Sequence, residues 1–348
     1  MLLKTILNGL YFSGLSSACA PMTQGICSIL MLHHVRAVSS ADFAPNAHLS
    51  VTPEFLDATI MRLKQSGYRF ISMDEVQDLV TGHSEHRTEP AIAITLDDGY
   101  RDNLQNAVPV FKRHEVPFTI YVAPGLVDAT HTLWWEDLEN IIASRKKIVV
   151  NLPRGPKTYQ TESLDEKNAA FSELLNLLTT QASEEEQREI VKSLSEDFAY
   201  DPLVHVKNEI MSWNELKKLS KEPLCTMGAH TIGHFALARL EAHEAAREIA
   251  ESREILRETF NQPIAHFAYP YGYPAAAGMR EFDLIKNAGF ETAVTTRHGV
   301  VYQEHAEHMT ALPRISVNGT YQSMRYIRAL LSGLPTRLSN KGKKLNVA

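Results

Sequence analysis

Only three cysteines, Cys19, Cys27 and Cys225, occur in 348 residues, and no two of them form a CxxC pair. A disulfide framework is therefore excluded, and the thiols read as small apolar fillers. An excess of positive charge is lacking too. Lys and Arg number 35 against 41 Asp and Glu, for a net charge of −6, and no basic stripe suggests nucleic acid as a partner. No apolar run is long enough to span a bilayer, because Asn8, Gly9, Ser13 and Gly14 interrupt the first one. Internal repeats and low-complexity tracts are absent. What remains, 44% hydrophobic and 22% charged, is the composition of a soluble globular protein with one large α/β domain or two smaller ones.

Residues 1–25 carry two readings. Ala18-Cys19-Ala20 has the look of a signal cleavage site, whereas Leu3, Leu7, Leu10, Tyr11 and Leu15 recur at helical spacing. An amphipathic helix is expected there, packed on the domain or touching a membrane peripherally through residues 1–18. The expected location is cytoplasmic or peripheral to the inner membrane rather than secreted. Downstream, short β-type runs alternate with helical patterns: Ser28–Leu32, Phe70–Ile71, Ala91–Leu96, Phe118–Val122, Leu224–Met227, His266–Ala268, Thr292–Thr295 and Leu312–Ile315. Helix starts are marked by Thr52-Pro53-Glu54 and by capping-box patterns at Ser72–Glu75 and Ser212–Glu215. Such alternation predicts an α/β fold, a distorted TIM-like (β/α)7–8 barrel over residues 26–330. A largely helical insertion of about 126–211 interrupts it, opened by Trp134-Trp135-Glu136 and with Lys147–Leu152 as its one strand candidate. Residues 331–348 read as a basic, flexible tail.

Chemistry concentrates at strand ends. Ala91–Leu96 runs into Asp97-Asp98-Gly99, and a later strand runs into His230-Thr231-Ile232-Gly233-His234. One aspartate and both histidines can hold a divalent cation while the other aspartate takes a proton from the water it activates. Adjacent side chains on a strand face opposite ways, so Gly99 is expected to turn the backbone and bring both acids to the barrel mouth. The histidines, four apart, are expected on one face of a helical turn. Alone, either pair is weak, since Asp-Asp-Gly also caps turns and the chain has fifteen histidines. Together at the C-terminal ends of parallel strands they mark an active site. Other ends carry His33-His34, Tyr269-Pro270-Tyr271-Gly272 and Arg314.

Thr95–Gly99, Ala229–His234 and Tyr269–Gly272 resemble, in order and spacing, the first three motifs of the polysaccharide deacetylase family, the chitooligosaccharide deacetylase (NodB-homology) group. The resemblance covers about residues 28–317. It implies a distorted barrel and hydrolysis of acetyl groups on amino-sugar glycans with a divalent metal, Zn2+ first among the candidates. Carried over, it makes Asp97 the general base and Asp98, His230 and His234 the metal ligands. Tyr269, Pro270 and Tyr271 become a groove wall, with the Tyr271 N–H at the oxyanion. Two features depart from the pattern: Ala268 stands where the third motif usually has arginine, and the C-terminal Leu-x-His motif is missing. His33 resembles the N-terminal histidine that acts as acid in circularly permuted members, and Arg314 is the candidate for the missing arginine. His34 reads as an accessory or buried histidine.

The expected function is a metal-dependent hydrolase of C–N bonds, removing N-acetyl groups from an acetylated amino-sugar glycan. Two alternatives stand beside it. One is a glycosidase using paired carboxylates, which leaves both histidines without a role. The other is a non-catalytic glycan-binding relative, which would not need the complete set of base and ligands.

Overall fold

The computed structural model describes residues 2–84, 89–152, 155–198 and 200–347. Twelve strands occur among them: β1 Cys27–Leu32, β2 His34–Val35, β3 Ser50–Val51, β4 Arg69–Ile71, β5 Ala91–Leu96, β6 Phe118–Val122, β7 Lys147–Leu152, β8 Gly155–Gln160, β9 Cys225–Ala229, β10 His266–Ala268, β11 Thr292–His298 and β12 Leu312–Ser316. Seven of them, in the order β1-β12-β11-β10-β9-β6-β5, close into a parallel barrel through the pairing of β5 with β1. The eighth strand of the sheet does not enter the ring. Residues 91–93 of β5 pair with β4, and residues 94–96 pair with β6. Because β1 occupies the other edge of β5 along its whole length, β4 is wedged below β6, and this distorts the barrel.

Period-2 alternation divides the strand residues between two cores. Ile29, Ala91, Ala93, Tyr121, Ala268, Val294 and Leu312 belong to the barrel interior, whereas Leu30, Leu32, Ile92, Ile94, Phe118, Ile120 and Ile315 pack under the surrounding helices. The helices start where the local chemistry satisfies their free N–H groups. Thr52 caps Pro53–Gln65, and complete capping boxes open Met73–Thr81 (Ser72, Glu75) and Trp213–Leu219 (Ser212, Glu215).

Between β6 and β9 the chain leaves the barrel. Helices Trp134–Ser144, Leu164–Thr180, Glu184–Asp197 and Pro202–Glu209 surround an antiparallel β7–β8 hairpin and build a core of their own from Trp134, Leu138, Ile148, Phe171, Leu174 and Leu194. At the start of the chain two helices, Leu2–Phe12 and Leu15–Thr23, stand where one was expected. They are broken at Gly14, whose φ of 76° a helix does not accommodate. Within 331–348, read from the sequence as a tail, Leu334–Ser339 is helical and packs against Leu15–Thr23.

The barrel interior is filled unevenly. Tyr121 lies across it with its ring against Gly228 of β9, where an added Cβ would stand 2.4 Å from the ring and 3.0 Å from the His266 carbonyl. Gly228 thus makes the space for the ring that floors the polar end of the barrel. Gly228→Val is expected to displace Tyr121 and to lower stability by about 1–3 kcal/mol, as overpacking does. Thermal unfolding of the variant measures this, and an unchanged Tm would contradict the role given to Gly228.

Candidate active site

The inward register of β5 continues past its end. Ala91, Ala93 and Thr95 face the interior, and Asp97 is next in phase, buried at 2% exposure. Arg314 reaches it from β12, in phase with Leu312. The guanidinium grips Asp97 bidentately, Nη1 to Oδ1 and Nη2 to Oδ2 at 2.7 Å each. Its Nε donates to the Thr295 carbonyl at 2.9 Å and Nη1 also to Thr95 Oγ1 at 3.1 Å, while the Tyr121 ring lies 6.0 Å beneath. Burial pushes the Asp97 carboxyl up, but the Arg314 charge and hydrogen bonds outweigh it and hold the group below the usual carboxylate range.

Asp98 would point outward on a continuing strand. A φ of 72° instead turns it inward beside Asp97, one residue before the Gly99 expected to make that turn. Its Oδ1 lies 3.3 Å from His230 Nε2 and 3.2 Å from His234 Nε2. The histidines do not share a helical turn as the sequence suggested. Residues 230–236 form a loop in which Thr231 and His234 take φ of 59° and 56°. Glu248 Oε2 fastens that loop by accepting from the Ile232 and Gly233 N–H groups at 2.8 and 2.9 Å. Four of the eight non-glycine residues with positive φ among the described residues (Asp98, Thr231, His234 and Tyr271) lie in this site. Each such conformation costs about 1–3 kcal/mol, so the surrounding structure holds strain where the chemistry needs side chains aimed.

The donor set suits a small divalent cation. His230 Nδ1 is engaged with the Ala268 carbonyl at 2.7 Å, so in the neutral ring Nε2 presents a lone pair towards Asp98. Lone pairs facing a carboxylate oxygen repel unless a proton or cation lies between them, and buried Asp98 Oδ1 has no well-formed hydrogen bond. The ligand atoms of Asp98, His230 and His234 all fall within 4.8 Å of one another. The two Asp–His separations are close to the edge of ~3.3 Å expected for a tetrahedron with zinc-like bonds of ~2.0–2.1 Å.

A cleft of about 510 Å³ opens over these groups. His33 stands on its barrel side, in phase with Ile29 and Met31, with Nε2 3.9 Å from Asp97 Oδ2. Burial lowers its pKa, more than the neighbouring carboxylates raise it. Tyr271 lines the cleft with φ 61°, and its N–H has no protein acceptor among the described residues. Two expected wall residues lie elsewhere. Tyr269 follows inward-facing Ala268 and therefore turns out of the barrel, with its OH on the Thr310 carbonyl at 2.8 Å, and buried Pro270 does not line the cleft. Tyr273 takes that part of the wall. Insertion residues Trp134, Trp135, Leu175 and Thr179 line the cleft as well. Trp134 Nε1 donates to the Tyr271 OH at 2.8 Å, and the Trp135 ring lies 4.8 Å from that of His234. The tryptophans thus both pin the insertion to the barrel and wall the cleft.

Sequence reasoning missed the support behind His33. His34 is buried and held by Asp102 Oδ2 through Nδ1 at 2.6 Å and by Glu136 Oε1 through Nε2 at 2.7 Å, with the Tyr100 ring tilted against it at 32°. Glu136 also receives His205 Nε2 at 2.9 Å. Only the Trp134-Trp135-Glu136 cluster hinted at a role for Glu136, and no local pattern marked Asp102.

The sequence profile of the polysaccharide deacetylase family matches residues 84–293, and the chain belongs to that family. It is 26% identical over 159 residues to the Bacillus subtilis (strain 168) protein named "Putative polysaccharide deacetylase YxkH"; the match spans 44% of this chain and about half, 53%, of that relative. Among solved structures the fold is similar to the Streptococcus pyogenes deacetylase PplD in complex with acetate (TM-score 0.58, 18% identity, 87% of this chain and 97% of that one). It is similar also to IcaB from Ammonifex degensii (0.55, 17%, 88% and 98%) and to a de-N-acetylase from Aggregatibacter actinomycetemcomitans (0.56, 12%, 87% and 99%). At these identities the likeness is one of fold.

The His34 clamp gives stability a pH dependence. Burial opposes charge on the ring, but the hydrogen bonds and charges of Asp102 and Glu136 prevail and raise its pKa from 6.5 to about 9. The folded value exceeds the unfolded one, so the stabilisation is complete below the unfolded pKa and is lost as pH rises through the folded one. It amounts to at most about 3 kcal/mol. Unfolding free energy measured across this alkaline range is expected to fall more steeply for the wild type than for His34→Asn. Parallel slopes would show that His34 is not charged in the fold.

Proposed function

We propose that the protein is a metal-dependent carbohydrate deacetylase that hydrolyses the N-acetyl amide of an amino-sugar glycan. The observation that carries this reading is the unequal environment of two adjacent aspartates, Asp97 in the grip of Arg314 and Asp98 facing two histidines. Asp98, His230 and His234 hold the cation, with zinc the first candidate for a His2Asp set. When bound, it supplies Lewis acidity that polarises the acetyl carbonyl and acidifies a water.

The other steps belong to the chain. Asp97 is a weak base by virtue of its lowered pKa, adequate only for a water already acidified, and Arg314 fixes both of its oxygens in direction. Its part is to take the water proton. The Tyr271 N–H, without an acceptor among the described residues, donates to the oxygen on which negative charge develops. The lowered pKa of His33 favours its neutral form, so the proton it delivers to the leaving amine is the one Asp97 has taken, relayed by a bridging water across the 3.9 Å between them. Arg314 here fills the orienting role that Ala268 cannot. The aromatic walls at Trp135, Tyr271 and Tyr273 suit the apolar faces of sugar rings.

Acetate release from an acetylated amino-sugar oligomer tests the reading. Asp97→Asn is expected to lower kcat by about 10²–10⁴-fold. Asp98→Ala is expected to lose bound metal in elemental analysis, and chelation should abolish activity until zinc is restored. Equal release by wild type and Asp97→Asn, or full activity after complete metal removal, would overturn the mechanism.

A further inference from the structure

Charge is segregated along this chain. Residues 1–41 and 308–348 contain nine of the 35 basic residues and none of the 41 acidic ones, which leaves 26 basic against 41 acidic residues between them. The fold brings these two segments together. Helix Leu2–Phe12 packs on Met324–Leu331, burying Leu7 against Tyr326 and Ala329. Helix Leu15–Thr23 packs on Leu334–Ser339, and Thr23 is tied down by its hydroxyl donating to the Ser332 carbonyl and its carbonyl accepting from the Tyr302 OH, at 2.5 Å each.

This cluster of four helices exposes an unusual number of large apolar side chains. Leu3 and Ile6 share one stripe of the first helix and are exposed, Phe12 is 72% exposed, Leu15 51%, Met22 73% and Leu338 59%. The same helices and the residues after them carry exposed Lys4, Arg328, Lys341 and Lys343, of which Arg328 donates to Ser66 Oγ at 3.2 Å. Glu304, an acidic residue outside both segments, pairs with Lys344 at the cluster's edge. No helix among the described residues is long and apolar enough to cross a membrane.

We propose that the pole formed by residues 2–23 and 324–344 docks onto an anionic lipid surface. Large apolar side chains set among lysines and arginines, with acids excluded from both contributing segments, are what an interface of acyl chains beneath negative headgroups selects. A second copy of the chain is a poorer occupant, because a two-fold contact would set like charges against each other. A wholly aqueous face would not need Phe12 and Met22 exposed within one cluster. The proposal is independent of the catalytic reading, and its measurement needs no activity.

The test is co-sedimentation of the full chain with vesicles of phosphatidylcholine alone or with about 30% phosphatidylglycerol. The protein is expected to partition onto the anionic vesicles, less onto the neutral ones, and to be released by salt. Phe12→Ser with Leu15→Ser, and separately Lys341→Gln with Lys343→Gln, are each expected to weaken binding at least about tenfold. Met279→Ser, which removes an exposed apolar side chain elsewhere (60%), should leave binding unchanged. Absence of binding to anionic vesicles would overturn the proposal, as would equal binding by all variants. So would a solution dimer that Phe12→Ser with Leu15→Ser dissociates, since the face would then be covered by a second copy.

Discussion

The paired hydrogen bonds between Arg314 and Asp97 set the position of everything else at the barrel mouth. Burying a carboxylate and a guanidinium is poor value for stability, because lost hydration largely cancels their attraction. Its benefit is direction. Arg314 divides its N–H groups among the Thr295 carbonyl, Thr95 Oγ1 and both Asp97 oxygens, so β5, β11 and β12 are held in register around one plane. The pair also needs a floor, which Tyr121 supplies and Gly228 makes room for. A lysine could match the charge of Arg314 but not the fork that fixes both carboxylate oxygens.

Asp97 and Asp98 are neighbours in sequence and differ in everything a carboxylate can feel. Asp97 keeps the regular strand register and meets a permanent cation. Asp98 leaves that register through a left-handed backbone and meets two imidazoles. Strand geometry alone would have sent one of them out of the barrel. The strain of that one residue is therefore what converts a local Asp-Asp repeat into two different chemical groups.

Much of this was legible in the sequence, and the reasons are specific. The core strands showed as apolar runs because both faces of a parallel barrel strand are buried; their ends carried Asp97, His33 and Arg314, whose roles came from the resemblance of the motifs. Strand parity, applied to β10, would have excluded Tyr269 from the groove wall, since it follows inward-facing Ala268. The loop carrying His230 and His234 was misread as a helical turn because an i,i+4 spacing is equally compatible with left-handed loop residues, which no side chain other than glycine announces. The closure at seven strands depended on β4 sharing an edge of β5 with β6, a long-range register choice. The His34–Glu136–His205 chain joins three segments distant in sequence, so no local pattern could contain it.

The site is consequently built by two bodies with different tasks. Every group assigned to the chemistry comes from the barrel, whereas Trp134, Trp135, Leu175 and Thr179 of the insertion furnish one wall of the cleft. The His34 clamp, the Trp134–Tyr271 hydrogen bond and the Arg188 hydrogen bond to the Gly233 carbonyl are among the contacts where the two bodies meet. The apolar, basic pole of residues 2–23 and 324–344 lies towards this junction. Lys4 sits over the Tyr321 ring, Thr320 and Gln322 line a cavity beside the cleft, and Asn318 lines the cleft itself. Asn46 and His48 form a wall common to that cavity and the cleft, so a glycan lying across both would approach the first helix.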